Sequence, residues 1–195
     1  MMRIIRYVCL SLITIFITAC TPFQLSTPLF YAVYDNQTAK IEHLLKQHIP
    51  VNKRNNRDQT ALMIAAYNGN VPIINLLIKA GAKINTRDIY GNTALIYASV
   101  TGNSSAVKRL IQLGANVNAA NKQGVSALLA AATSGQTHSL KILLKAGANL
   151  YHRDKQGYNV YDLAKRHSMT PTANYIKSLK GSERLDTEAW YVNRG

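Results

Sequence analysis

The chain has little cysteine and little acid. Two cysteines stand among its 195 residues, and 9 Asp and Glu face 23 Lys and Arg. Cys9 lies in a stretch read below as removed, so the mature fold has no pair for a disulfide and no cysteine metal site or cysteine nucleophile. No His-Glu-x-x-His pair, glycine-rich phosphate loop or Gly-x-Ser-x-Gly elbow occurs. The five histidines, His43, His48, His138, His152 and His167, fall in different columns of the repeat described below. Spacing alone therefore gathers no catalytic constellation. On these grounds no enzymatic activity, small-molecule substrate or metal is expected.

Long apolar runs are lacking too. The stretch from Tyr7 to Ala19 is shorter than the roughly 18 to 20 residues a helix needs to cross a bilayer. It follows a basic start, Arg3 and Arg6, and ends at a cysteine, which is the pattern of an export signal. Ile17-Thr18-Ala19-Cys20 resembles the lipobox of bacterial lipoproteins, with a small residue before a thiol that accepts the lipid. The resemblance implies a signal peptide over 1–19, covalent diacylglycerol and an N-acyl lipid at Cys20, and a short tether over 20–26. Thr21, where an Asp would favour inner-membrane retention, implies the periplasmic face of the outer membrane of a diderm bacterium. An ordinary signal peptide with an incidental cysteine is the competing reading. One acyl chain holds a protein only marginally, whereas two or three make attachment stable.

What the chain does have is an internal period. Thr27-Pro28-Leu29, Thr60-Ala61-Leu62, Thr93-Ala94-Leu95 and Ser126-Ala127-Leu128 each start 33 residues after the last, and a degenerate unit begins at Asn159. Ala32, Ala65, Ala98 and Ala131 keep the register, as do Asn36, Gly69, Gly102 and Gly135. So do the apolar pairs Leu44-Leu45, Leu77-Ile78, Leu110-Ile111 and Leu143-Leu144. Gly81-Ala82, Gly114-Ala115 and Gly147-Ala148 close the second apolar stretch, and Asn52, Asn85 and Asn118 complete the pattern. Physically, a Thr or Ser hydroxyl caps a first short helix, a left-handed residue turns the chain, and Gly ends a second helix. Pro72 falls in the first turn of its helix, where no intrahelical bond is lost.

Column for column this resembles the ankyrin repeat. The resemblance implies an all-α repeat solenoid of about five helix-turn-helix units with β-hairpin-like fingers. Its repeats span 27–59, 60–92, 93–125 and 126–158, with a degenerate cap at 159–179 and a polar tail at 180–195 that contains Trp190. His48-Ile49-Pro50 departs from the Gly-Ala pattern and puts the path between the first two repeats in doubt. No repeat buries its apolar face alone, so stacking supplies the core.

The resemblance further implies a partner groove lined by first-helix ends and fingers. The helix-end positions are Tyr34, Asp35, Tyr67, Asn68, Val100 and Thr101. The finger positions are Asn56, Arg57, Gln59, Ile89, Tyr90, Asn92, Lys122, Gln123 and Tyr158. Tyrosine and arginine recur as interface hot spots, which singles out Tyr34, Tyr67, Tyr90, Arg57 and Tyr158; tyrosines that merely shield the helix layer are the alternative. A protein partner in the periplasm or envelope is expected, either a resident protein that the chain scaffolds or an incoming toxin that it neutralises.

The formal charge of +14 falls to +12 once Arg3 and Arg6 are removed, which attracts acidic partners. Lys46, Lys79 and Lys145 share one column, and Lys108 and Lys141 another four residues earlier, so all lie on one face of the second helices. That face is either a solvated surface or a contact for anionic lipid. Nucleic acid is not expected as a partner, because export removes the chain from its usual location.

Overall fold

In the computed structural model, residues 28–180 are described; the expected signal peptide over 1–19, Cys20, Thr27 and the tail beyond Lys180 lie outside them. The repeat hydroxyls act as their positions suggest. Thr60, Thr93 and Ser126 each accept a hydrogen bond from the backbone N–H three residues on, at 3.4 Å, and start α3 (Ala61–Asn68), α5 (Ala94–Thr101) and α7 (Ala127–Thr133). In the first repeat α1 covers Pro28–Tyr34, and in the fifth α9 covers Val160–Arg166. Asn159 caps α9, while Asp162 accepts in return from the Asn159 N–H at 3.0 Å. That reciprocal capping box starts a helix where the usual Thr is missing.

The chain then turns back into the second helices, α2 (Thr38–Lys46), α4 (Val71–Lys79), α6 (Ser104–Gln112), α8 (Thr137–Lys145) and α10 (Thr170–Lys180). Asn36, Gly69, Gly102, Gly135 and Ser168 all turn with positive φ, between 55° and 74°. Small or hydrogen-bonding side chains tolerate that region. Pro72 sits at the second position of α4. Gly81, Gly114 and Gly147 follow the second helices, and the N–H after each glycine reaches back to Leu77, Leu110 or Leu143. This is the Schellman closure. His48 takes glycine's place in the first repeat and turns left-handed like it, with φ 57° and its own N–H bonded to Leu45 O at 3.1 Å.

First helices pack on first helices and second on second along the whole series. The Ala column, Ala32, Ala65, Ala98, Ala131 and Ala164, is fully buried, because only a methyl fits where neighbouring helices approach. Leu62, Leu95 and Leu128 fill the space between the layers, with Ile74, Leu77, Leu110, Leu140 and Leu143 facing them from the second helices.

The fingers follow hairpin-like paths without paired strands: among the described residues only an isolated bridge joins Ala120 to Ser126. Each finger is instead a tight turn held by one side chain. Asn55, Asp88, Asn121 and Asp154 each use Oδ1 to accept two backbone N–H groups, two and four residues on, at 2.7–3.0 Å. Such side-chain turns compete well with a β ladder.

Glycine is required at two different places for two different reasons. At Gly124 (φ 80°) an added Cβ would lie 3.0 Å from the Asp154 Cα and the Lys155 N of the next finger, whereas at Gly114 (φ 90°) it would meet nothing within 4 Å. Gly114→Ala should therefore cost only the left-handed backbone penalty, about 1–2 kcal/mol. Gly124→Ala should cost clearly more, because the fourth finger must move. Urea unfolding of the two variants side by side checks this, and equal losses would contradict the finger contact.

Candidate functional site

The first-helix ends and the finger flanks form one continuous face, and Tyr97 shows how they are joined. Its hydroxyl accepts a hydrogen bond from Gln59 Nε2 at 2.7 Å and donates to Asp88 Oδ2 at 2.7 Å. One phenol on α5 thus pins two successive fingers, 59 and 88, against the helix layer. Burial, followed by the hydrogen bond to the Asp88 carboxylate, pushes the Tyr97 hydroxyl up to about 12.

Around that anchor lies an exposed apolar and aromatic line. Tyr34 is 61% exposed, Tyr67 53%, Tyr90 49%, Val100 41% and Ile89 37%, which accounts for most of the large exposed hydrophobic side chains among the described residues. Tyr67 meets the Tyr97 ring edge-on, with centroids 6.3 Å apart. Such aromatic contact fixes the ring without covering it. Asp35, Asn56, Arg57, Lys122 and Gln123 are exposed beside this line.

The fingers are held in register by their neighbours. Ile89 N–H donates to Arg57 O at 3.1 Å, Lys122 N–H to Tyr90 O at 2.9 Å, and Lys155 N–H to Gln123 O at 2.9 Å. The side chains at 57, 89, 90, 122 and 123 therefore project from a backbone that is already tied down. A face held this way loses little further freedom on binding.

The remaining predicted positions serve the scaffold in the isolated chain. Asn68 Nδ2 donates to Val33 O and Tyr34 O, closing the end of α1. Asn92 bonds Asp88 and accepts from Asn121, and Gln59 is shared between Asn55 and Tyr97. Thr101 bonds back to the Tyr97 carbonyl and accepts from Asn103. Tyr158 is half-buried, with its hydroxyl accepting from Arg166, whose guanidinium also lies over its ring at 4.9 Å. These five meet a partner only by giving up such contacts.

Sequence reasoning missed Tyr97 and the Asn55, Asp88, Asn121 and Asp154 column. The column does repeat every 33 residues, so its signal was present. Tyr97 has no such signal, since Ile64 and Ala130 occupy its column in the flanking repeats. The lysines of the second helices lie on the opposite side of the helix layer. Lys46, Lys79 and Lys145 are exposed in last turns, where a cation offsets the helix dipole, and Lys141 sits over the Tyr175 ring at 4.6 Å. No group of three His, Cys, Asp or Glu suited to a metal occurs among the described residues, and no described helix is long and apolar enough to cross a membrane.

A family model described as ankyrin repeats in three copies matches residues 2–88 and 85–154. The chain belongs to the ankyrin-repeat family. A search of curated proteins finds no match. Ankyrin repeats are in general non-catalytic modules for binding other proteins, and the ten described helices here form such a repeat array.

Tyr97 gives the ankyrin face a measurable signature. Tyr97→Phe removes two hydrogen bonds, leaving the Gln59 amide N–H without its acceptor and the buried Asp88 Oδ2 with only Asn92, so it should cost about 1–3 kcal/mol in urea unfolding. The folded hydroxyl titrates above the ordinary tyrosine value of 10.0, so its contribution is complete below pH 10 and is lost as pH rises through about 12. The parent chain should lose that increment of stability over this window, and the Phe variant should not. Parallel slopes for the two proteins would refute the assignment.

Proposed function

We propose that this protein is a lipid-anchored ankyrin-repeat module of a bacterial envelope that holds a protein partner in the groove between its fingers and first helices and performs no catalysis. The observation that carries the groove reading is the exposed line of Tyr34, Tyr67 and Val100 on first-helix ends with Ile89 and Tyr90 on a finger tied to its neighbours by backbone hydrogen bonds. Exposed aromatic groups on a rigid frame supply large contact area at low entropic cost. Arg57, Asn56 and Gln123 add directional polar contacts at its edge. The absence of any nucleophile–base motif in the sequence supports a binding role.

The anchor reading rests on the sequence Ile17-Thr18-Ala19-Cys20, with lipid on Cys20 and the periplasmic face of the outer membrane as the destination. Residues 21–26 then leave at most about 20 Å of extended chain between the lipid and the first repeat, so the groove works close to the leaflet. Permanent attachment at a fixed height suits a scaffold for a resident envelope protein, and it suits neutralisation of an incoming toxin equally.

Two experiments address the two halves of this proposal separately. Cys20→Ala should abolish incorporation of labelled fatty acid and release the protein from the membrane fraction, and an unchanged distribution would overturn the anchor. For the groove, the lipidated chain is purified from detergent-solubilised envelopes beside Tyr67→Ala with Tyr90→Ala. A partner that is retained by the parent and reduced about tenfold or more in the double variant, at unchanged helicity, is the expected result; each truncated hot spot is worth roughly 1–2 kcal/mol. Equal recovery would move the interface elsewhere.

A further inference from the structure

The distribution of charge on the groove goes beyond its aromatic content. Six carboxylates lie among the described residues, and four are engaged within the fold. Asp88 is 5% exposed and accepts from two backbone N–H groups and the Tyr97 hydroxyl. Asp154 accepts from Gln156 and Tyr158 N–H groups, Asp162 caps α9 and pairs with Arg153, and Asp58 pairs with Arg54. Asp35 and Glu42 remain exposed, and Glu42 is on a second helix, away from the groove. By contrast Arg57, Lys122 and Lys155 are exposed at the first, third and fourth fingers, and no salt bridge among the described residues engages them. Asp88 is buried, Asp154 and Asp162 are held by turn and cap contacts, and the exposed Asp58 is paired with Arg54, which leaves Asp35 as the exposed carboxylate of the groove against three fingertip cations that no salt bridge engages.

We infer that the groove takes an acidic polypeptide segment, whose carboxylates meet Arg57, Lys122 and Lys155 and whose apolar side chains pack on Tyr67, Ile89, Tyr90 and Val100. The inference rests on the groove being the binding surface and adds the chemistry of its occupant. Charge complementarity decides the sign. An unpaired arginine beside exposed tyrosines is suited to a bidentate carboxylate contact, and the net positive chain draws acidic partners in. Single-stranded nucleic acid would also use aromatic platforms and cations. The face favours a peptide, because aliphatic Ile89 and Val100 and the amides of Asn56 and Gln123 are interleaved with the tyrosines. The free cations are also one per finger at most, which is sparse for a phosphate on every nucleotide.

The test is a selection of random displayed peptides on the full chain purified in detergent, with the net charge of the enriched peptides as readout. The expected result is enrichment of peptides rich in Asp and Glu. Their affinity should fall roughly tenfold or more with Arg57→Glu, Lys122→Glu and Lys155→Glu combined, and should weaken with added salt. The triple Gln variant, with the same positions neutral, should fall between the two and guards against misfolding of the Glu variant. Neutral or basic peptides that still depend on Tyr67 and Tyr90 would overturn the acidic occupant and leave the groove reading standing. Peptides indifferent to both sets of substitutions, or no enrichment, would overturn both. An oligo-dT probe that binds at physiological salt and needs Tyr67 and Tyr90 would overturn the peptide in favour of nucleic acid.

Discussion

The bond on which the rest depends is the one each repeat makes to the next through an asparagine. Asn52 donates to the Gly81 carbonyl at 2.9 Å and accepts from the Lys83 N–H at 2.8 Å. Asn85 does the same to Gly114 and Asn116, and Asn118 to Gly147 and Asn149. A side-chain amide has one acceptor and one donor end, and the loop after each helix offers a free carbonyl and a free N–H at the matching separation. The pairing is specific in register: a shift of one residue would leave both groups unpaired. Hydrophobic burial alone would let the helix pairs slide, since an Ala or Leu column fits its neighbour at several heights. The asparagines remove that freedom.

From this fixed register the face follows. Finger backbones come within hydrogen-bonding distance of one another only because the loops before them are locked, and the 33-residue period then places 57 against 89, 90 against 122 and 123 against 155. Tyr97 adds a tie at right angles to this series, from a helix to two fingers. The array ends where these devices run out. Tyr151 occupies the asparagine column after Gly147 and is exposed, and Ser168 replaces the turn glycine of the fifth repeat.

Most of the fold was legible in the sequence because the period was strict. Caps at Thr60, Thr93 and Ser126, the turn glycines and the closing glycines each have a local cause that operates wherever the residue stands. The His48 turn was not legible, since the Gly-Ala signal that marks this turn in the other repeats is missing and His adopts the left-handed region only uncommonly. The site was legible by column and only partly by residue. Exposure of Tyr34, Tyr67, Ile89 and Tyr90 follows from where a column points. The engagement of Gln59, Asn68, Asn92 and Thr101 depends on which neighbour each side chain reaches in the next repeat, and periodicity does not carry that information.

The composition can be understood in the same terms. A chain with few acids has few ways to neutralise its own cations, and this one uses half of its six described carboxylates, Asp88, Asp154 and Asp162, where a backbone N–H needs an acceptor. Asn55 and Asn121 do the same turn work as Asp88 and Asp154 with a neutral amide, so the turn does not require charge. What the carboxylate adds at 88 is a second oxygen that holds the Tyr97 hydroxyl. At 88 the acid fixes a tyrosine, while the acids next to two of the fingertip cations, Asp58 and Asp154, are engaged by Arg54 and by turn N–H groups rather than by those cations. Lys46, Lys79 and Lys145 have a structural reason for their position, because they end second helices. Arg57, Lys122 and Lys155 lie in turns with no dipole to offset, so the fold itself gives no reason for their charge, and a partner of opposite sign does.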